Sequence, residues 1–238
     1  MARKIASRKR QLLSNNTISV SIMPKMPTEI PLFPLPIVVF PQEKRALHIF
    51  EERYKAMVRY CLDANEVFGM ILVNDGKISE TGCTVRISRV LHEFEDGRMD
   101  ILVSGQERFM LLDIFQRHLY LSAQIKYMRE PMLVIRKDLR EKVIAQHLKW
   151  LELNNERFNL SEYEVPYASY IVASKLPIPL DEKQKILQTP AETDRLMMLS
   201  VYFETVLPKV QTRVKTEQVI RSDGHTSALP PDAKFNLE

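Results

Sequence analysis

Up to Met128 the apolar residues of this 238-residue chain recur mostly at the spacing of strands, and past Pro131 they recur at the spacing of helices. That one lasting change of period restricts the chain to an α+β arrangement with the strands first. Hydrophobic residues at 45% and charged residues at 27% supply an ordinary globular core, and the length falls between one and two domains. The expected layout is a basic leader over 1–28, a β-rich subdomain over 29–130, a helical subdomain over 131–221 and a polar tail over 222–238.

Within the first part, prolines at 31, 34, 36 and 41 bracket Leu32-Phe33, Leu35 and Ile37 to Phe40. Such spacing forbids a helix and predicts short edge strands. From Leu47 to Asn65 the spacing of Ile49, Tyr54, Met57, Val58 and Cys61 predicts one helix of about three turns. Val67 to Val73 reads as a buried strand closed by the turn signal Asn74-Asp75-Gly76. Short strands follow to Met128, with Asp96-Gly97 expected as a type I′ hairpin turn and Gly105 as an interruption.

In the second part, Leu139, Val143, Ile144, His147, Trp150 and Leu151 share one helical face. Pro166 suits the first turn of the next helix, and Asp181 suits the cap of another. Thr189-Pro190-Ala191-Glu192 has the form of a capping box, and Pro208 is expected to kink or restart the last helix.

The formal charge is +4, but it is unevenly placed. Six basic residues precede the first acid, Glu29, so the chain beyond it is close to neutral. The leader suits a solvated arm, an organelle-targeting segment or a contact for RNA, a membrane surface or an acidic partner, and does not make the body a nucleic-acid protein. Two cysteines, Cys61 and Cys83, give neither a disulfide framework nor a metal-ligand pair, which suits a reducing, cytoplasmic compartment. No apolar run approaches the roughly 20 residues of a membrane span.

Ile30-Pro-Leu-Phe-Pro-Leu35, Val38-Val-Phe-Pro41 and Leu47-His-Ile-Phe-Glu51-x-Arg53-Tyr54 resemble the opening of the LON N-terminal, or substrate-binding, domain. Phe68-Gly69, Gly82-Cys-Thr84, Asp96-Gly97-Arg98, Gly105-x-x-Arg108-Phe109, Lys183-Gln184-x-x-Leu187 and Arg195-Leu196 follow in the family's order. The resemblance covers about Glu29 to Gln211. It implies a PUA-like β pseudo-barrel with one helix, followed by a C-terminal α-helical bundle. Pro36-Ile37, where the full-length proteases more often carry Arg-Asp, places the chain nearer the stand-alone members. Pro34, Phe40, Pro41, His48, Phe50, Glu51, Arg53 and Tyr54 are the framework motif this resemblance carries over.

Catalytic signatures are missing from the sequence. The sole Gly-Lys pair, Gly76-Lys77, has no glycine five residues before Gly76 and is followed by Ile78, so no P-loop is written here. The chain stops where a Lon motor would begin, so no Ser–Lys peptidase domain is expected. The five histidines are scattered, and Ser104 lacks the preceding glycine of a nucleophile elbow, with Leu102 in its place. His48 with Glu51 could pose as base and orienter, but no nucleophile accompanies them. No cofactor and no metal are expected.

Recognition must then rest on an amphipathic surface. Tyr163, Tyr167 and Tyr170 are the protein-binding candidates, because tyrosine buries a ring while keeping its hydroxyl wet. The expected function is a non-enzymatic module binding unfolded or specific protein segments as adaptor or holdase, with a Lon-type ATPase as a candidate partner. The alternative is an RNA-binding PUA-like module using the basic leader.

Overall fold

A computed structural model describes residues 29–131 and 136–223. The expected leader, and all but the first two residues of the expected tail, lie outside the described residues. The strands are β1 (Glu29–Leu35), β2 (Lys44–Ile49), β3 (Phe68–Asn74), β4 (Lys77–Glu93), β5 (Met99–Phe115) and β6 (Leu121–Tyr127). The helices are α1 (Glu52–Asp63), α2 (Lys137–Leu153), α3 (Ala168–Lys175), α4 (Leu180–Gln188) and α5 (Glu192–Asp223), with a 3₁₀ turn at Leu160–Tyr163.

The strands form one six-stranded sheet in the order β2-β5-β4-β3-β1-β6, with a further pairing between β5 and β6. This corrects the expected PUA-like pseudo-barrel. Among the described residues β2 pairs with β5 alone, so it hangs at an edge, and the structure is a sheet folded over on itself rather than a barrel. The cause is the length of β4 and β5, 17 residues each against a usual strand of about five or six. Residues 99–104 of β5 pair with β2, and residues 109–115 pair with β6. Gly105, expected to interrupt, lets the strand pass. A Cβ there would lie 2.0 Å from the Phe40 carbonyl oxygen, so only glycine admits that approach.

β1 is interior, not an edge piece. It pairs antiparallel with β6 through Glu29–Leu32 and parallel with β3 through Leu32–Leu35. Pro31 and Pro34 therefore each stand in a half that has one neighbour, where a missing N–H is tolerated. The two Asp-Gly turns also differ. Asp75 and Gly76 both have positive φ (49° and 73°), the type I′ geometry. At Asp96-Gly97 only Gly97 is left-handed (φ 79°), and Phe94 N–H bonds the Arg98 carbonyl across a three-residue loop. Asp96 prefers that turn because its carboxylate accepts from both the backbone N–H and the Nε of Arg98.

Leu47 and Ile49, expected on the helix, belong to β2; two or three apolar residues fit either period, and pairing with β5 decides. At the other end of the chain, α5 runs unbroken through Pro208. An interior proline costs about 3 kcal/mol. Burial of Phe203 and Val206 before it and of Val210 after it in the helical core offsets that cost.

Two large cores meet along the 36–43 linker. Val39 points into the core of α1 and the sheet, while Val38 and Phe40 enter the helical core beside Tyr170, Leu196 and Phe203. Strand-like alternation in a segment that forms no strand thus stitches the sheet to the helices.

Candidate functional site

Arg108 lies on β5 beside Phe109, and period-2 alternation sends the two side chains to opposite faces. Phe109 fills the sheet's third core with Ile30, Leu32 and Ile125. Arg108 turns toward the helices and is fully buried. Its Nε donates to Glu130 Oε1 at 2.6 Å, and its Nη1 donates to the Leu187 carbonyl at 2.8 Å. Leu187 stands in the last turn of α4, where carbonyls lack helical partners and favour a cation.

Arg195 of α5 completes the cluster. Its Nη1 donates to the carbonyls of Thr189 and Pro190 at 2.8 Å and to Glu130 Oε2 at 3.2 Å, and its Nη2 donates to Glu192 Oε2 at 2.9 Å. Glu192 in turn accepts from Ser169, through both its backbone N–H and its hydroxyl. The expected capping box therefore does not form. Ser169 and Arg195 take the Glu192 carboxylate, and the Thr189 hydroxyl bonds back to Lys185.

Both arginine side chains are 0% exposed, Glu192 is 2% and Glu130 is 19% exposed. Two cations against two anions leave the cluster neutral, the condition under which buried charge is tolerated.

The three tyrosines do not act as one set. Tyr170 is buried under the cluster: its hydroxyl donates to Glu130 at 2.8 Å, Arg195 lies 4.1 Å from its ring centre, and Phe40 stacks at 5.8 Å. Burial first, and the neighbouring Glu130 carboxylate as well, push its hydroxyl pKa up against the two arginines. Tyr163 is buried in the helical core, where its hydroxyl meets His147 Nδ1 at 2.9 Å. Burial raises Tyr163 to about 12 and lowers His147 to about 4. Tyr167 is half-buried and lies 6.1 Å from Tyr170, ring centre to ring centre.

Tyr167 and Tyr170 share a cavity of about 400 Å³ with Pro41, Gln42, Arg108 and Met128. A second cleft, of about 700 Å³, separates the start of β2 from α3 and takes in Gln42, Arg45, Ile171 and Lys175.

The framework residues divide between interior and surface. Pro34 pairs opposite Ile71, Phe40 and Pro41 are buried, and Tyr54 packs its ring 4.1 Å from that of Phe33 with the Arg53 guanidinium 4.5 Å from its centre. His48 bonds Asp100 at 2.6 Å rather than Glu51, which pairs with Arg53. Phe50 is 58% exposed beside His48. The thiols of Cys61 and Cys83 are buried, and burial raises both pKa values, Cys61 to about 12, so neither supplies His48 with a nucleophile. Gly76-Lys77 sits at the β3–β4 hairpin. Among the described residues no group of three or more His, Cys, Asp or Glu side chains is placed to hold a metal ion.

Sequence reasoning missed Arg108, Glu130, Glu192 and Arg195 as an assembly. Arg108 and Arg195 stand in motifs that carried the family resemblance, but no local pattern marks an arginine for burial.

Residues 29–204 match the family described as the ATP-dependent protease La (LON) substrate-binding domain. Curated relatives include the Lon protease of Buchnera aphidicola, 23% identical over 81% of this chain and 27% of that protein. Lon protease 2 of Herpetosiphon aurantiacus is 26% identical over 73% of this chain and 23% of its own length. The chain thus spans about a quarter of these relatives. Among solved structures, a Lon N-terminal domain protein from Xanthomonas campestris aligns with a TM-score of 0.60 and 24% identity, covering 74% of this chain and 99% of that one. The N-terminal domain of the Mycobacterium avium complex Lon protease aligns at 0.58 with 12% identity, covering 74% and 98%. At such identities these two likenesses concern the fold.

Proposed function

We propose that this chain, which belongs to the Lon protease substrate-binding domain family, recognises unfolded or specific protein segments and works as an adaptor or holdase. The family match over 29–204 carries the reading, because the matched region is the non-catalytic accessory domain of the Lon architecture. Two further features support it. Clefts of about 400 and 700 Å³ open where sheet and helices meet. The outer side of β2 is unpaired among the described residues and offers backbone groups to an extended segment. A Lon-type ATPase is a natural partner for such a module, and a cytoplasmic setting suits it. No described helix is long and apolar enough to cross a membrane.

The test is binding of fluorescent, reduced and carboxymethylated α-lactalbumin, which cannot refold, in the absence of ATP. The expected result is a saturable rise in anisotropy at micromolar protein, with little response to the native, disulfide-intact form. Equal binding of both forms, or silence toward the unfolded chain and toward a peptide array, would overturn the reading. Tight binding of single-stranded RNA that collapses with salt would replace it with the nucleic-acid alternative.

A further inference from the structure

Which backbone groups of β2 point away from the sheet follows from its pairing phase. Gly105 N–H donates to the Glu43 carbonyl at 2.8 Å, which makes Glu43 and Gly105 a hydrogen-bonded pair. In the antiparallel register that continues from them, Arg45, Leu47 and Ile49 bond Val103, Ile101 and Met99 of β5. Lys44, Ala46 and His48 therefore turn their N–H and C=O groups outward. All three residues are exposed, and among the described residues no other strand pairs with them.

Side chains alternate in step with the backbone. Leu47 and Ile49 reach the core of α1 and the sheet, and Arg45 beside them is half-buried. On the opposite face the small Ala46 leaves room between Lys44 and His48. The start of β2 also walls the 700 Å³ cleft, whose far side includes Val165, Ile171 and Lys175. On that lining Arg45 pairs with Glu43 and Lys175 with Glu162, and Lys44 has no ion-pair partner among the described residues. Lys183 of α4 lies within electrostatic reach of Glu43 and Arg45, and burial holds its pKa below the usual lysine value despite Glu43. The place is short of negative charge. A second copy of β2 would bring another lysine and arginine to it, and a lysine on an edge works against such self-pairing.

We propose that β2 takes an extended protein segment as an added strand, with alternate apolar side chains and an acidic residue beside Lys44. In antiparallel addition the segment exchanges backbone hydrogen bonds with Lys44, Ala46 and His48. Its apolar side chains lie beside Leu47 and the Arg45 stem, a small residue faces Ala46, and its carboxylate meets Lys44 at the mouth of the cleft. The inference rests on the protein-recognition reading and gives it a binding mode, a register and a charge preference.

The experiment is hydrogen exchange of the full ¹⁵N-labelled chain, alone and with acetyl-Thr-Val-Thr-Ile-Glu-amide. In the free chain the Lys44, Ala46 and His48 amides should exchange fast and those of Arg45 and Leu47 slowly. Saturating peptide should slow the first three by about tenfold or more and leave the other two unchanged. The same peptide N-methylated on both threonines and the glutamate keeps its side chains and should not bind. With lysine in place of its glutamate the peptide should bind about fivefold more weakly, the order of one exposed ion pair. Lys44→Glu should reverse that preference. Ala46→Pro removes an outward N–H that β5 does not use, so it should keep the sheet and weaken binding about tenfold.

Protection that fails to alternate along β2, or binding that survives N-methylation, would overturn the added strand. An unchanged preference in Lys44→Glu would overturn the acidic class. Protection that grows with the concentration of the chain alone would give the edge to a second copy and overturn the proposal. The two proposals fail separately. A chain that binds unfolded α-lactalbumin without protecting β2 keeps the recognition reading and loses this mode. Peptide binding at β2 with silence toward the unfolded protein keeps the edge and loses that reading.

Discussion

Arg195–Glu192 and Arg59–Glu93 are ion pairs of almost the same length, 2.9 and 3.0 Å. The first is sealed between helices and sheet, with exposures of 0% and 2%; the second bridges α1 to the outer end of β4, with both side chains about half exposed. Histidines repeat the contrast: His147 is buried against Tyr163, and His48 meets Asp100 in the open. Geometry is shared and the medium differs. At the junction, water is no substitute for a lost partner, whereas on the sheet's outer arm it is.

The largest effect should follow from Arg195→Met. It strands the Glu192 carboxylate and leaves the Thr189 and Pro190 carbonyls short of a donor, so urea unfolding should lose about 3–5 kcal/mol. A loss below about 1 kcal/mol would erase the contrast between the two regions.

Next in size is the pH response of His147. Its folded pKa, about 4, lies below the model-peptide value of 6.5, because burial disfavours the cation. The unfolded chain therefore binds the extra proton first as pH falls. The stabilisation is complete above about pH 6.5 and is lost progressively toward pH 4, by about 3 kcal/mol. His147→Gln keeps a partner for Tyr163 and should flatten that part of the profile. An unchanged slope in the variant would assign the acid sensitivity elsewhere.

The smallest effect belongs to the exposed pair. A double-mutant cycle on Arg59 and Glu93 should give a coupling under about 1 kcal/mol that fades in 0.5 M salt. A coupling near that of the junction would show that burial is not what separates the regions.

The sequence reading reached deepest where neighbours decide. Asp75-Gly76 is a hairpin turn because both residues tolerate positive φ, and that is written in two letters. Of the stripe from Val143 to Leu151, Val143, His147, Trp150 and Leu151 are buried and Ile144 is partly so. It failed where distant partners compete for the same group. Glu192 has the spacing of a cap and is taken by Ser169, 23 residues earlier. Pro208 should break a helix and is held in line by packing against α2. Tyr163, Tyr167 and Tyr170 are the same residue type within eight positions, but Tyr163 meets a buried histidine, Tyr170 donates to the partly exposed Glu130, and Tyr167 stays half-buried at the cavity.

The change of period near residue 130, the Asp75-Gly76 hairpin turn and the apolar stripes of the helices follow from the sequence alone, because each depends on backbone preferences within a few residues. The tertiary structure alone decided that β5 serves β2, β4 and β6 along its length, and that the sheet keeps an open edge. It alone brought Arg108, Glu130, Glu192 and Arg195 into one neutral cluster. Those outcomes depend on contacts between segments far apart in the chain, where burial and competition for hydrogen bonds outweigh any local preference.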